Sequence, residues 1–290
     1  MGKWWENARR FTKPFGIGLV VEKKIRILAR NFLPPRVRKP LGSAVGWFHY
    51  GVVYFIGGVI FDWFIRRFRA DGCEFEIPRS ITSTAYRGEF LKKGYEGEER
   101  RLVQKFVRSD DSVLEIGGCL GIVSCVTNKL LRDNTRHVVV EGNPYCIPAI
   151  CRNREINRCG FLVENCALSN QRDLTFYLQP TCILSGSTQR MKSDRVERRS
   201  RPAVRVPGRT LEELDARYGP FSALVMDIEG AELEALEPAA KVLKKYRVVI
   251  LELHEEAIGA EKVERCREIL RRAGLQFGES AGNVEAWQRG

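Results

Sequence analysis

Residues 112–132, SVLEIGGCLGIVSCVTNKLLR, decide the fold. The apolar run 112–116 predicts a buried strand, the three glycines after it predict a turn, and 121–132 has the apolar spacing of a helix. A glycine turn at the start of a helix exposes backbone N–H groups to a polar ligand. The dinucleotide fingerprint would require a glycine at position 116, where isoleucine stands, so another ligand is indicated.

The rest of the chain alternates apolar runs with helical patterns. This alternation predicts an α/β fold in which a mostly parallel sheet carries helices on both faces. A basic segment at 189–209 has no apolar period and predicts a long loop that interrupts this order. The further strands are predicted at 137–141, 161–165, 223–228 and 247–253, and the further helices at 95–107, 144–157, 232–245 and 261–273.

Acidic and amide side chains follow the first three predicted strands. Glu115 lies at the end of the first strand, where a carboxylate suits a cationic ammonium or sulfonium better than a pyrophosphate. Glu141 ends the second strand and is placed to accept both hydroxyls of a ribose. Asn165 follows the third strand, near the expected adenine edge, although a plain turn asparagine fits equally well. The pattern predicts an S-adenosylmethionine site with seven candidate residues: Glu115, Gly117, Gly118, Gly121, Glu141, Asn143 and Asn165.

Five stretches of the chain resemble, in order, the FkbM family of S-adenosylmethionine-dependent methyltransferases. The resemblance covers roughly residues 90–275, and the D-x-E-G-x-E pattern that starts at Asp227 is its most specific part. Glu115 replaces the more usual aspartate, and residues 1–70 lie outside the resemblance. It implies a Rossmann-like methyltransferase fold and O-methylation of a hydroxyl, often on a sugar or a polyketide-like product. The stretches are VLEIGGCLGIVSCV, VVVEGNP, ENCALSN, RTLEELDARYGPFSALVMDIEGAELEAL and VVILELHEE.

The acceptor side is predicted at the ends of the fourth and fifth strands. Asp227 is the first candidate for orienting or deprotonating the acceptor, with Glu229 and His254 as further catalytic candidates. Alternatively, Glu229 caps the next helix, and the imidazole of His254 forms its hydrogen bonds with the backbone at the strand end. For Glu232, helix capping is the favoured interpretation. Asp227, Glu252 and His254 could gather a divalent cation, but their spacing does not require one and no metal site is predicted.

The N-terminal 70 residues form a separate, basic segment. They carry +11 of the formal net charge of +12, and the rest of the chain is nearly neutral. Residues 17–32 predict a basic amphipathic helix, and the apolar run 44–64 is long enough to span a bilayer. Because His49 and Asp62 lie inside that run, a segment lying in the membrane interface fits better than a span. The alternative is a helical pair packed on the main domain.

These observations predict three segments: 1–70, a connection at 71–94, and a methyltransferase domain at 95–290. The nine cysteines show neither the spacing of a disulfide framework nor that of a zinc site, and they indicate reduced thiols in the cytosol. We therefore expect the protein to lie at the cytoplasmic face of an anionic membrane. The expected function is methylation of a hydroxyl on a sugar, glycolipid or other amphipathic product. An RNA methyltransferase is a weaker alternative, because the aromatics do not alternate with the arginines, and an inactive membrane-bound scaffold is another. The sequence does not define an oligomeric state.

Overall fold

A computed structural model of the 290-residue chain describes residues 50–91, 94–179, 182–187 and 203–290. The chain divides into two units, one of 1–66 with 83–92 and one of 67–82 with 93–290. The units therefore divide the chain differently from the three expected segments, because 83–91 packs with 50–66 rather than forming part of a connection. The predicted helix at 17–32 lies outside the described residues, as does the beginning of the run 44–64.

The first unit pairs two short helical regions. Three helical stretches follow one another at Tyr50–Tyr54, Phe55–Ile60 (α1) and Phe61–Ile65, and they pack against Thr84–Arg87 (α2) and the 3-10 turn Gly88–Leu91. The glycine pair inside the run allows this approach, since a Cβ at Gly58 would lie 1.7 Å from the carbonyl oxygen of Thr84.

Asp62, the acid inside the apolar run, forms a bidentate ion pair with Arg87. The distances are 2.7 Å from Nε to Oδ1 and 2.8 Å from Nη2 to Oδ2. The charge is therefore paired within this unit. Tyr54 and Phe61 are buried, and the ring centroid of Phe61 lies 6.0 Å from that of Phe90 in the 3-10 turn.

The other side of the same helical stretches exposes large apolar side chains. Their spacing of three to four residues places most of them on one helical face, and Trp63 and Phe64 are 71% and 82% exposed. Among the described residues, none of the helices combines the length and apolar character needed to cross a membrane. We call this set the exposed apolar face: Val52, Phe55, Ile56, Val59, Ile60, Trp63, Phe64 and Ile65.

The second unit contains the described strands and the other helices. Its strands are β1 Arg67–Ala70, β2 Cys73–Glu76, β3 Val113–Ile116, β4 His137–Val140, β5 Leu162–Glu164, β6 Ala167–Leu168, β7 Asp173–Gln179, β8 Cys182–Ser187, β9 Ala203–Arg209, β10 Ala223–Met226, β11 Val248–Glu252, β12 Gln276–Ala281 and β13 Val284–Gln288. Its helices are α3 Gly97–Phe106, α4 Ile122–Leu130, α5 Ile147–Ile156, α6 Leu211–Tyr218, α7 Glu232–Leu236, α8 Ala240–Leu243, α9 Glu255–Ile258 and α10 Ala260–Arg272.

The central sheet has seven strands in the order β12-β13-β11-β10-β3-β4-β5. β11, β10, β3, β4 and β5 pair in parallel, whereas β13 and β12 are antiparallel additions at one edge. The parallel strands β3, β4 and β10 are buried along their whole length, as expected when helices cover both faces of a sheet. This arrangement confirms the predicted Rossmann-like α/β fold and brings the carboxyl ends of β3, β10 and β11 side by side.

Two predictions of local structure were wrong. Residues 203–209, expected in the basic loop, form β9, which pairs with β7 and has buried Val206 in a small core with Phe176. The rest of that predicted loop, up to residue 202, lies outside the described residues. The helix expected over 232–245 is two short helices, α7 and α8. The hairpin β1-β2, the antiparallel strands β12 and β13, and the four-stranded sheet β6-β9-β7-β8 were not predicted.

Candidate functional site

A cavity lies at the carboxyl edge of the central sheet. It is bounded by the ends of β3, β10 and β11 and by the first turn of α3. Carboxylates dominate its polar lining, which suits a ligand that carries positive charge. The lining includes Glu96, Glu99, Glu115, Gly117, Gly118, Asp227 and Glu252.

The glycine turn after β3 forms one wall of this cavity. Gly117 has φ 97°, and a Cβ there would lie 1.8 Å from the carbonyl oxygen of Asp227, so only glycine lets the two loops approach this closely. A Cβ at Gly118 would lie 2.6 Å from Cγ1 of Val139. Gly121 caps α4 with φ 76°. The turn is thus packed too tightly against Asp227 and Val139 for a side chain at either position, while its backbone lines the cavity.

Glu141 follows β4 and is buried beside the glycine turn. Its carboxylate accepts the backbone N–H of Cys119 at 2.7 Å and that of Asn143 at 2.6 Å. Burial nevertheless raises the pKa of Glu141, and these hydrogen bonds oppose the shift. Each carboxylate oxygen has more than one acceptor position, so this fixed side chain retains capacity for ligand hydroxyls.

The two candidate asparagines shape the loop around Glu141. Asn165 donates from Nδ2 to the carbonyl oxygen of Glu141 at 2.7 Å, and Asn143 accepts the N–H of Tyr145 at 3.1 Å. Asn165 therefore has the bracing contacts of a turn asparagine, which the sequence left as an equal alternative. Both side chains stay predictions as cofactor contacts.

Glu115 is buried, and its carboxylate is engaged by other residues of the chain. Its Oε1 accepts a hydrogen bond from Ser124 of α4, and its Oε2 lies 3.2 Å from Nε2 of His137. The carboxylate therefore ties β3 to the helix that starts at the glycine turn, whereas Oε2 accepts no hydrogen bond. Glu115 also lines the cavity, and its direct contact with a ligand stays a prediction.

The acceptor-side candidates converge on the imidazole of His254. Its Nε2 lies 3.6 Å from Oδ1 of Asp227 and 3.8 Å from both Oε2 of Glu229 and Oε1 of Glu252. We call Asp227, Glu229, Glu252 and His254 the His254 cluster. The structure thus brings together the three residues predicted to be catalytic, together with Glu252, which the sequence offered only as a cation ligand.

Glu232 fixes the orientation of the imidazole. This fully buried carboxylate accepts the N–H of Gly230 at 2.9 Å and lies 2.7 Å from Nδ1 of His254. The sequence favoured helix capping for Glu232 and did not predict its contact with His254. No local pattern could reveal this contact, because 22 residues separate Glu232 and His254 in the sequence. Only the pairing of β11 with β10 brings the two side chains together.

The electrostatics of the His254 cluster differ from those of free side chains. Burial alone would lower the pKa of His254, but the hydrogen bond with Glu232 and the nearby carboxylates raise it to about 10. Burial and the charge of Glu252 raise the pKa of Asp227 to about 7, and burial with Asp227 raises that of Glu229 to about 6. At neutral pH the imidazole therefore holds its proton, and the carboxylates have pKa values suited to proton acceptance.

Two further acids of the cavity wall were missed by the sequence analysis. Glu96 precedes α3 with φ 49°, an uncommon conformation for a residue other than glycine, and Glu99 is buried in its first turn. Burial and the charges of Asp227 and Glu115 raise the pKa of Glu96 to about 8. Burial, Asp227 and Glu96 raise the pKa of Glu99 well above its usual value, and Glu99 shares a hydrogen bond with Glu252. The only sequence signal was the acid-rich start of this helix.

Several solved structures have a similar fold. A precorrin-6y C5,15-methyltransferase from Geobacter metallireducens shares 11% identity over 66% of this chain and 87% of its own, with a TM-score of 0.41. Fibrillarin from Aeropyrum pernix, solved with S-adenosyl-L-methionine, shares 9% identity over 65% and 72%, with a TM-score of 0.39. An O-methyltransferase from Bacillus cereus shares 13% identity over 66% and 79%, with a TM-score of 0.38. Such values are too low to transfer any property.

The decisive similarity is at the level of the family. No curated protein matches the sequence. The family model described as the methyltransferase FkbM domain matches residues 115–277, more than half of the 290-residue chain. The match begins at Glu115, and it includes the glycine turn, Glu141 and the whole His254 cluster. The chain therefore belongs to the FkbM family of methyltransferases, whose methyl donor is S-adenosylmethionine.

Proposed function

We propose that this methyltransferase transfers the methyl group to a hydroxyl of an amphipathic acceptor, such as a glycolipid, at an anionic membrane surface. The observation that carries the proposal is the His254 cluster beside the glycine turn. Asp227 lines the same cavity as Gly117 and Gly118, so an acceptor held by the cluster lies next to the cofactor wall. The exposed apolar face supports the membrane part.

The residues of the cavity fit S-adenosylmethionine. Gly117 and Gly118 line the cavity with backbone alone, and Glu141 is fixed with acceptor capacity for ribose hydroxyls. The acids Glu96 and Glu99 on the opposite wall, whose pKa values are raised in the chain without ligand, would ionise beside the positive charge of the sulfonium and the ammonium. When bound, the cofactor would supply an electrophilic methyl group to the acceptor oxygen.

The chain's own residues have two tasks on the acceptor side, positioning and proton transfer. Asp227 and Glu229 lie on the loop after β10, where they can accept a hydrogen bond from the acceptor hydroxyl and then its proton. Glu232 fixes the imidazole of His254 through Nδ1, so the other ring nitrogen, Nε2, points toward the carboxylates of the His254 cluster. These carboxylates can therefore act together on one acceptor hydroxyl. Alignment of the acceptor oxygen supplies most of the rate enhancement, and proton acceptance adds about 10²–10⁴-fold.

The membrane part of the proposal rests on apolar exposure combined with charge. The exposed apolar face is directly followed by exposed Arg66, and residues 1–70 carry a balance of +11. Aromatic and aliphatic side chains on one face insert into the headgroup boundary, and nearby Lys and Arg are attracted to anionic lipids. We therefore place this face in the lipid interface.

Methyl transfer is tested with the full chain, methyl-labelled S-adenosylmethionine and a total lipid extract from the source organism. We expect label in the organic phase on a product 14 daltons heavier, as a methyl ether that resists alkaline hydrolysis. Label that alkali releases would indicate an ester and contradict the hydroxyl acceptor. Label only in an added RNA fraction would favour the nucleic-acid alternative.

Membrane docking is tested by flotation with vesicles of phosphatidylserine and phosphatidylcholine. The double variant Trp63→Ser/Phe64→Ser removes the two most exposed aromatics of the face, worth about 3 kcal/mol of apolar burial, so we expect about 100-fold weaker binding. The matched control is Phe277→Ser, because Phe277 is another exposed aromatic, at 54%, on β12. Equal flotation of the double variant and the wild type would contradict the docking surface.

A further inference from the structure

We propose that Asp227, Glu252 and His254 form a binding site for a hard divalent cation such as Mn²⁺ or Mg²⁺. The cation would hold the acceptor oxygen and acidify its hydroxyl. The catalytic use rests on the proposed function, whereas the cation site itself rests only on the geometry of these three side chains.

The three side chains offer ligand atoms at a suitable separation. One atom from each residue, Oδ1 or Oδ2 of Asp227, an Oε of Glu252 and a ring nitrogen of His254, lies within 4.8 Å of the other two. Bonds of about 2.1 Å around one octahedral ion place neighbouring ligand atoms about 3 Å apart and opposite ones about 4.2 Å apart. Side-chain shifts of a few tenths of an ångström would therefore bring the three ligand atoms to the spacing that such an ion requires.

The imidazole is held in the manner of a metal ligand. Its Nδ1 is fixed by the buried carboxylate of Glu232 at 2.7 Å, and this leaves Nε2 facing Asp227 and Glu252. A carboxylate behind a histidine orients the ring and increases its basicity at metal centres. A bound cation would take the place of the Nε2 proton.

Unsatisfied charge at the same point is the second, independent observation. Oδ1 of Asp227 is a buried atom that accepts no hydrogen bond, and its distance of 3.6 Å from Nε2 exceeds hydrogen-bonding range. Two more carboxylates, Glu229 and Glu252, face Nε2 from 3.8 Å. A single imidazolium cannot hydrogen-bond to all three through one nitrogen, whereas a divalent cation binds several oxygens at once.

One imidazole and two carboxylates leave open positions on an octahedral cation. This mixed donor set suits Mn²⁺ or Mg²⁺ better than the thiolate-preferring ions. An acceptor hydroxyl bound there would lose its proton to Glu229, the member of the His254 cluster that is not a ligand. The resulting oxygen–carbon bond forms as the sulfur–methyl bond breaks, and the electron pair of that bond stays on sulfur as the neutral thioether.

The test is titration of the full chain with Mn²⁺ alone, followed by the loss of the aqueous Mn²⁺ electron paramagnetic resonance signal. We expect one Mn²⁺ per chain, with at least tenfold weaker binding in Glu252→Gln and His254→Gln. Glu232→Gln should weaken binding about 10–100-fold, as for other residues that orient a metal ligand. The matched control Glu261→Gln changes an exposed glutamate in the first turn of α10 and should leave binding unchanged.

A spectroscopic readout keeps the test independent of folding of the variants. Electron spin echo modulation of the bound Mn²⁺ should show a directly coordinated imidazole nitrogen in the wild type. No Mn²⁺ binding, no nitrogen coupling, or equal binding in the Glu252 and His254 variants would overturn the site. Binding of S-adenosylmethionine and full methyl transfer in EDTA would overturn the catalytic use of the cation and leave the methyltransferase function standing. Mn²⁺ binding without any methyl transfer would contradict the proposed function and support the cation site.

Discussion

The two sides of the cavity handle their polar groups in opposite ways. On the cofactor side, Glu141 accepts two backbone N–H groups, Asn165 braces the loop behind it, and Ser124 donates to Oε1 of Glu115, so that only Oε2 of Glu115 has no hydrogen bond. On the acceptor side, Oδ1 of Asp227 has no hydrogen bond, and several carboxylates crowd one nitrogen of His254 at 3.6–3.8 Å.

This difference shows that the fold organises the cofactor side more fully than the acceptor side before a ligand binds. The cofactor side is organised by bonds within the chain, so ligand binding there requires little rearrangement. The acceptor side retains charge that the fold does not neutralise, which costs stability and is typical of functional positions. Substitutions on the two sides should therefore differ in what they change.

The largest expected effect separates catalysis from cofactor binding. Asp227→Asn removes a carboxylate that orients the acceptor and can receive its proton. The rate of methyl transfer, measured as label incorporated into the same lipid fraction as with the wild type, should therefore fall by about 10²–10⁴-fold. The Kd for S-adenosylmethionine, measured by calorimetry, should stay within about threefold of the wild type. Glu261→Gln is the control, and an unchanged rate in Asp227→Asn would exclude Asp227 from the acceptor site.

The next effect concerns the close contact of the two loops at Gly117. Gly117→Ala should lower the free energy of unfolding by about 3 kcal/mol, because the left-handed backbone and the clash with the carbonyl of Asp227 add together. Gly72→Ala is the matched control, since Gly72 has φ 76° but nothing within 4 Å of an added Cβ. It should cost only about 1 kcal/mol. Equal losses in denaturant titrations would show that the loop contact has no energetic importance.

A moderate effect is expected at Glu141. Glu141→Gln replaces one accepting oxygen with an amide donor that faces a backbone N–H, and it weakens any bond to ribose hydroxyls. We expect the Kd for S-adenosylmethionine to rise about 10–100-fold, while Mn²⁺ binding stays as in the wild type. Loss of Mn²⁺ binding in this variant would show that the two sides are coupled rather than separate.

The smallest effect is a pH dependence of stability without ligand. Because the pKa of Glu96 is about 8 in the folded chain against 4.5 in the free side chain, the folded state holds a proton that the unfolded state has lost. The free energy of unfolding should therefore decrease as the pH rises from 5 to 8. Glu96→Gln imitates the protonated acid and should flatten this slope, with a gain of about 1 kcal/mol at pH 8 after allowance for solvent screening. An unchanged slope in thermal melts would contradict the assigned environment of Glu96.

Local patterns were sufficient to predict the five parallel strands of the central sheet and to place several candidate residues at the carboxyl edge of that sheet. The strands β3, β4, β5, β10 and β11 follow from apolar runs, and the carboxyl ends of parallel strands must share one edge, so Glu141, Asp227 and His254 could be placed there. Features that depend on packing between distant segments were not predictable. The contact of Glu232 with His254 is one example, and the positive φ of Glu96 beside the cavity is another.

The N-terminal region illustrates the same limit. Asp62 and the glycine pair at 57 and 58 interrupt the apolar run in the sequence, but in the structure they are where the helical stretches 55–65 contact α2. Their partners, Arg87 and the backbone at Thr84, lie more than 20 residues away, in a stretch expected to be only a connection. Hydropathy therefore identified an apolar segment but not which side of it is covered.

The most direct test of the separation between the two sides is calorimetric titration of the full chain with S-adenosylmethionine in EDTA. The account predicts one site per chain, with a Kd that Asp227→Asn leaves within about threefold and Glu141→Gln raises about 10–100-fold. Absence of binding by the folded chain, or loss of binding in Asp227→Asn with Glu141→Gln unaffected, would contradict it.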